Sequence, residues 1–161
     1  TAIGKYPIIA VQYMEKIVGE AERTTTNKHK DFDIQTTNEA EILKKALSRY
    51  ALMLADEIHA KAVVAFSYSW NLARYLSALK PNVPVISFTE DFDTHYSMGI
   101  SFWVFSKKIR KFSKHMSEDQ EIAIEALKEE KLIKKWDQII IIWVRLYDWV
   151  RQPQIRVVPI V

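Results

Sequence analysis

Near the start of the chain, Ile8, Val11, Met14, Ile17, Val18 and Ala21 recur at helical spacing and predict a helix over residues 7–21, with Pro7 acceptable in its first turn. Residues 24–37 are polar and carry no period, which predicts an exposed connection. Asn38, with Glu41 three residues on, resembles a capping box. Behind it Ile42, Leu43, Ala46, Leu47, Tyr50, Leu54 and Ile58 extend an apolar stripe to about residue 59. The pattern then shortens. Residues 62–66 form an apolar run of strand type, 73–79 a helix stopped by Lys80-Pro81, and 83–88 another buried strand. Glu90 and Asp91 place negative charge at the start of a helix predicted to reach residue 100, and Trp103-Val104-Phe105 begins a third strand. Ser117 with Gln120 suggests a second capping box for a helix ending near residue 131. Runs at 139–144 and 155–160 close the chain as strands.

Strands that alternate with helices imply a mostly parallel sheet covered on both faces, because parallel neighbours need a crossover. The last two strands have no helix between them and can pair antiparallel. Composition fits one such domain: 161 residues, 48% hydrophobic and 27% charged, are too apolar for disorder and enough to bury a core. With no cysteine there is no disulfide framework, which points to a reducing, cytoplasmic setting. The run at 139–144 is far short of the roughly 20 apolar residues that cross a bilayer, and no basic region leads an apolar stretch at the start. Neither a membrane partner nor a secretion signal is expected. A net charge of +3 is weak evidence for a polyanion, so no nucleic-acid partner is expected either. The basic residues bunch once, in Lys107, Lys108, Arg110, Lys111, Lys114 and His115. That run reads as a solvated edge strand or loop, with an anion-binding patch as the alternative.

The heptapeptide Thr1-Ala2-Ile3-Gly4-Lys5-Tyr6-Pro7 and its helix resemble the last barrel helix of pyruvate kinase. The resemblance continues in order. Residues 38–62 are similar to the first helix and strand of that family's C-terminal regulatory domain, and Ala73-Arg74-Tyr75-Leu76-Ser77 resembles the helix after its phosphate loop. Residues 81–89 resemble the next strand. Glu125-Ala126-Leu127-Lys128 with Leu132-Ile133-Lys134-Lys135 resembles the helix and turn before the penultimate strand. The resemblance implies a three-layer α/β/α sandwich at 38–161, with a mostly parallel sheet of about five strands. It also implies a remnant barrel helix at 1–23 and a linker at 24–37. A full enzyme of this family moves a phosphoryl group from phosphoenolpyruvate to ADP, using magnesium and potassium held in the barrel. The resemblance places none of that chemistry, and no cofactor, in this chain. It implies instead an allosteric domain that binds a sugar phosphate, a nucleotide or a similar effector and contributes to oligomer contacts.

The family's phosphate loop carries hydroxyl residues around a glycine, so that hydroxyls and bare amides surround a phosphate at a helix N-terminus. The matching stretch is Ser67-Tyr68-Ser69-Trp70-Asn71-Leu72-Ala73. Ser67, Ser69 and Asn71 could still meet a ligand. Trp70, however, stands where glycine is expected and Leu72 where a hydroxyl is expected, adding bulk where the phosphate would sit. The other half of the family's site, a glycine- and proline-rich loop between the last two strands, is here Arg145-Leu146-Tyr147-Asp148-Trp149-Val150-Arg151-Gln152-Pro153 and does not match. Trp103 also replaces a residue for which the family tends to glycine. Tyr68, Trp70, Leu72, Tyr96, Phe102, Trp103, Tyr147 and Trp149 are therefore expected to form an aromatic surface at the carboxyl edge of the sheet, binding a protein partner or a second copy. Such a concentration of changes is also what redesign of a scaffold would produce. Trp143 and Phe105 are expected in the core. A small phosphorylated ligand in the inherited pocket remains the competing expectation.

Other constellations carry less. Glu90, Asp91, Asp93 and His95 are explained by the helix dipole without a metal, and His29 with Asp31 and Asp33 sits in the solvated connection. Ser69, His95 and Asp148 lack a nucleophile elbow, and the glycines of a dinucleotide fingerprint are absent.

Overall fold

In the computed structural model, residues 4–24, 37–113, 115–147 and 150–161 are described. Helix α1 spans Pro7–Thr24 and α2 spans Glu39–Glu57. Then follow β1 (Ala62–Phe66), α3 (Asn71–Ala78), β2 (Val85–Thr89), α4 (Phe92–Met98), β3 (Val104–Lys108), α5 (Met116–Glu129), β4 (Gln138–Tyr147) and β5 (Val150–Pro159). The five strands form one sheet in the order β3-β2-β1-β4-β5. All neighbours are parallel except β4 and β5, which pair antiparallel with Gln138 opposite Pro159 and Tyr147 opposite Val150.

The centre of the sheet is buried on both faces, which explains why its central strands read as unbroken apolar runs rather than alternating ones. On one face Val63, Ala65, Ile140 and Ile142 pack with Leu52, Leu72, Leu76 and Met98 from α2, α3 and α4. On the other, Val64, Phe66, Ile139, Ile141 and Trp143 pack with Ala123 and Leu127 of α5. This is the three-layer sandwich expected from the sequence. Asn38 caps α2 by accepting the Ala40 N–H at 3.0 Å. Along α1, Ile8, Val11, Met14, Ile17 and Val18 stay exposed, so its apolar stripe has no seat among the described residues.

Several boundaries differ from the sequence reading. Helix α4 stops at Met98 rather than residue 100, and α3 begins at Asn71, with Trp70 already in right-handed geometry. Ser117 does not cap α5. The helix starts at Met116, and Ser113 organises its entry: its N–H donates to Asp119 Oδ1 at 2.9 Å, and its Oγ accepts from the His115 N–H at 3.1 Å. The expected loop over 145–153 is mostly strand, because the β4–β5 ladder continues through Val144 opposite Pro153 and Arg145 opposite Gln152. Pro153 is tolerated there because β5 is an edge strand and need not donate on its outer side. The expected linker falls almost entirely outside the described residues, as do His29, Asp31, Asp33, Lys114, Asp148 and Trp149.

Candidate functional site

The carboxyl ends of β1, β2 and β4 share one edge of the sheet, and the stretch from Ser67 to Trp70 leaves β1 there to enter α3. Ser67 is buried, and its hydroxyl closes the loop on itself. Its Oγ donates to the Ser69 carbonyl at 2.8 Å and accepts the Ser69 N–H at 3.4 Å. Trp70 occupies the position before α3 with φ −65°, a conformation open to any residue, so nothing in the backbone asks for glycine here. Its ring is 38% exposed and lies under Arg74, whose guanidinium carbon is 4.9 Å from the ring centroid. Tyr68 is 55% exposed and meets Phe112 edge-on at 4.7 Å, while Phe112 contacts Phe66 at 5.9 Å.

Leu72 was expected at the surface. It is instead fully buried, because the first turn of α3 directs it into the same apolar layer as Leu76, four residues on. Asn71 donates from Nδ2 to Glu41 Oε1 at 3.2 Å. The Glu41 carboxylate also accepts from Tyr75 Oη at 2.9 Å and from Lys44 Nζ at 2.7 Å, tying α2 to α3. Burial pushes the Glu41 carboxyl up, but the bonds from Lys44, Tyr75 and Asn71 and the Lys44 charge outweigh it and hold it below the usual range. Burial and the bond to Glu41 push the Tyr75 hydroxyl up. The sequence reading took Glu41 only as part of a helix cap. The available signal was Asn71 and Tyr75, two hydrogen-bond donors four residues apart on one side of α3.

The expected aromatic surface divides. Tyr68 and Trp70 share the carboxyl edge, whereas Phe102 and Trp103 precede β3 and therefore stand at the opposite, amino edge, where the Trp103 carbonyl accepts from Val85 N at 2.9 Å. Phe102 lies under Lys80, 4.2 Å from its ring centroid. Tyr96 is exposed on α4 beside that second group. Tyr147 ends β4, with its side chain outside the description, and Trp149 lies outside it altogether. Trp143 is buried as expected. Phe105 is not, because β3 is the outermost strand and one of its faces opens to solvent, leaving the ring 49% exposed.

The acidic cluster has structural roles. Asp91 caps α4 by accepting the Thr94 N–H at 2.7 Å, a bond that lowers its pKa. Glu90 accepts the Phe112 N–H, and His95 Nδ1 is hydrogen-bonded to Ser106 Oγ at 2.8 Å. Among the described residues, no group of three or more histidine, cysteine, aspartate or glutamate side chains is placed to hold a metal ion.

The family model described as "Pyruvate kinase, alpha/beta domain" matches residues 45–144. The chain belongs to that family. Pyruvate kinase 1 of Trypanosoma brucei brucei is 27% identical over 147 residues, covering 88% of this chain and 30% of that protein. The pyruvate kinase of Clostridium perfringens is 28% identical over 142 residues, with the same two coverages. The crystal structure of Cryptosporidium parvum pyruvate kinase superposes with a TM-score of 0.69 at 22% identity, covering 96% of this chain and 31% of that one, a likeness of fold. The pyruvate kinase alpha/beta domain seen here thus spans less than a third of the length of these relatives. Among its described residues, no helix is long and apolar enough to cross a membrane.

Proposed function

We propose that this chain is a pyruvate kinase C-terminal-type domain without phosphoryl-transfer chemistry or a cofactor of its own. Its inherited effector pocket has become a protein-binding surface, for a partner chain or a second copy. One observation carries the reading: in the stretch that corresponds to the phosphate loop, the Ser67 hydroxyl is turned inward to Ser69 while Tyr68 and Trp70 face out. Leu72, apolar and in the core, and Asn71, engaged with Glu41, support it, because neither side chain takes the place of a hydroxyl turned to a phosphate. Exposed tyrosine and tryptophan beside an arginine are the residue types that anchor protein interfaces. The exposed apolar stripe of α1 supports reading it as a helix that would rest on a barrel in the parent architecture.

The purified chain is expected to form no ATP from phosphoenolpyruvate and ADP. A sugar phosphate at millimolar concentration is expected to leave its melting temperature unchanged, since a ligand of the native state would raise it. Light scattering is expected to show an apparent mass that rises with concentration, or a partner retained by the wild-type chain and lost on Trp70→Ala. A melting shift with the sugar phosphate would favour an effector pocket instead.

A further inference from the structure

A second site lies at the other end of the aromatic distribution and does not depend on the reading of the loop after β1. Among the described residues, strand β3 is the outermost strand, paired on one side only, with β2. Trp103 O accepts from Val85 and Ile109 N donates to Thr89, so the parallel ladder turns the odd-numbered backbone groups of β3 toward β2. The alternation leaves the backbone N–H groups of Ser106 and Lys108 facing the outer edge. A groove of about 620 Å³ runs along that edge and reaches from α4 on one face of the sheet to the end of α5 on the other. It is lined by His95, Tyr96, Trp103, Phe105, Lys107 and Glu130, among others.

Three features fix what would fit. The free backbone edge calls for an extended strand. Trp103, 46% exposed, and Phe105 offer apolar anchoring on the groove wall. Trp103 holds φ +55°, a left-handed conformation that a bulky side chain adopts at a cost, so the ring is kept where glycine would be easier. Finally, four of the five residues from 107 to 111 are cationic: Lys107 Nζ is paired with Glu130 Oε1 at 2.6 Å across the groove and Lys108 Nζ lies 3.9 Å from the Phe92 ring centroid, while Arg110 and Lys111 are exposed at the exit of the strand. Lysines on an edge resist pairing with basic or neutral strands and favour an acidic one. We propose that the β3 edge binds an extended acidic peptide segment of a partner protein, which adds a sixth strand to the sheet and seats a bulky apolar side chain between Trp103 and Phe105.

The test uses the full chain and a fluorescein-labelled synthetic peptide that alternates glutamate with valine, one valine replaced by phenylalanine, read by fluorescence anisotropy. Saturable binding that weakens with added salt is expected, with none for the matching lysine–valine peptide. Lys108→Pro removes an outward N–H from an edge strand and is expected to abolish binding while the fold persists. Should that variant fail to fold, Trp103→Gly serves instead. It relieves the left-handed strain, so the melting temperature should hold or rise while affinity falls about tenfold or more. No binding by the acidic peptide, equal binding of the lysine peptide, or binding untouched by both variants would overturn the proposal. So would a concentration-dependent dimer abolished by Lys108→Pro, which would make a second copy the occupant.

Discussion

Replacing Phe66 by alanine is expected to lower the unfolding free energy by about 3–5 kcal/mol, the usual cost of emptying a buried aromatic site. Phe66 is the middle of a stack across three strands. Its ring is 4.9 Å from Phe88 at an interplanar angle of 13°, and 5.8 Å from Trp143 at 6°. The register imposes the stack, because Phe66 is paired with Phe88 on β2 and with Trp143 on β4, so all three rings emerge on the α5 face. Phe112 closes the stack edge-on and in turn supports Tyr68, so the same change should loosen the exposed aromatics at the carboxyl edge. Urea denaturation followed by circular dichroism measures the loss, and a cost below about 1 kcal/mol would mean that the stack is not a cooperative part of the core. Trp143→Phe provides a control. The Trp143 indole N–H is buried without a hydrogen-bond partner among the described residues, so phenylalanine keeps the stack and removes that penalty, and stability should change little.

Glu41→Ala is expected to cost about 2 kcal/mol, between an exposed ion pair and a fully buried one, because it strands Lys44 as well as Asn71 and Tyr75 in a part-buried network. The Glu41 and Lys44 side chains are 20% and 10% exposed, so water would compensate only partly. The effect carries a pH signature. Because the Glu41 carboxyl is held below its ordinary 4.5 in the fold, its contribution is present above that value and is lost as pH falls through the folded pKa. The Tyr75 hydroxyl is raised above its ordinary 10.0, so its contribution is complete below that value and is lost as pH rises through the folded pKa. Chemical denaturation of the wild type and of Glu41→Gln across acid pH should give a steeper acid limb for the wild type. Parallel limbs would remove Glu41 from the linkage.

The central strands were legible in the sequence because a parallel sheet covered on both faces leaves no alternation to misread, as residues 62–66 and 139–143 illustrate. The last hairpin was legible in its antiparallel pairing but not in its length. Arg145, Arg151, Gln152 and Pro153 look like a loop, and only the edge position of β5, a property of the whole sheet, makes a strand of them. Phe105 depends on the same kind of information, and here a hint was present: the basic run that reads as a solvated edge strand or loop begins at Lys107, inside β3, and the outermost strand leaves Phe105 half open to solvent. Leu72 was misjudged for a different reason. A loop motif and a helical spacing overlap at this position, and the four-residue partnership with Leu76 prevails, placing both in the core. The convergence of the aromatics failed at Trp103 because a residue just before a parallel strand and one just after it stand at opposite edges, a distinction the chain order already contained. Glu41 was hidden because its partners lie some thirty residues away on another helix.

The most direct test of the central claim, that side chains of this chain have taken over the phosphate loop, follows the backbone amides of residues 67–73 by NMR while a sugar bisphosphate is titrated to millimolar concentration. The account predicts resonances that stay in place. Saturable shifts confined to Ser67, Ser69 and the first turn of α3, with the Trp70 indole displaced from Arg74, would contradict it.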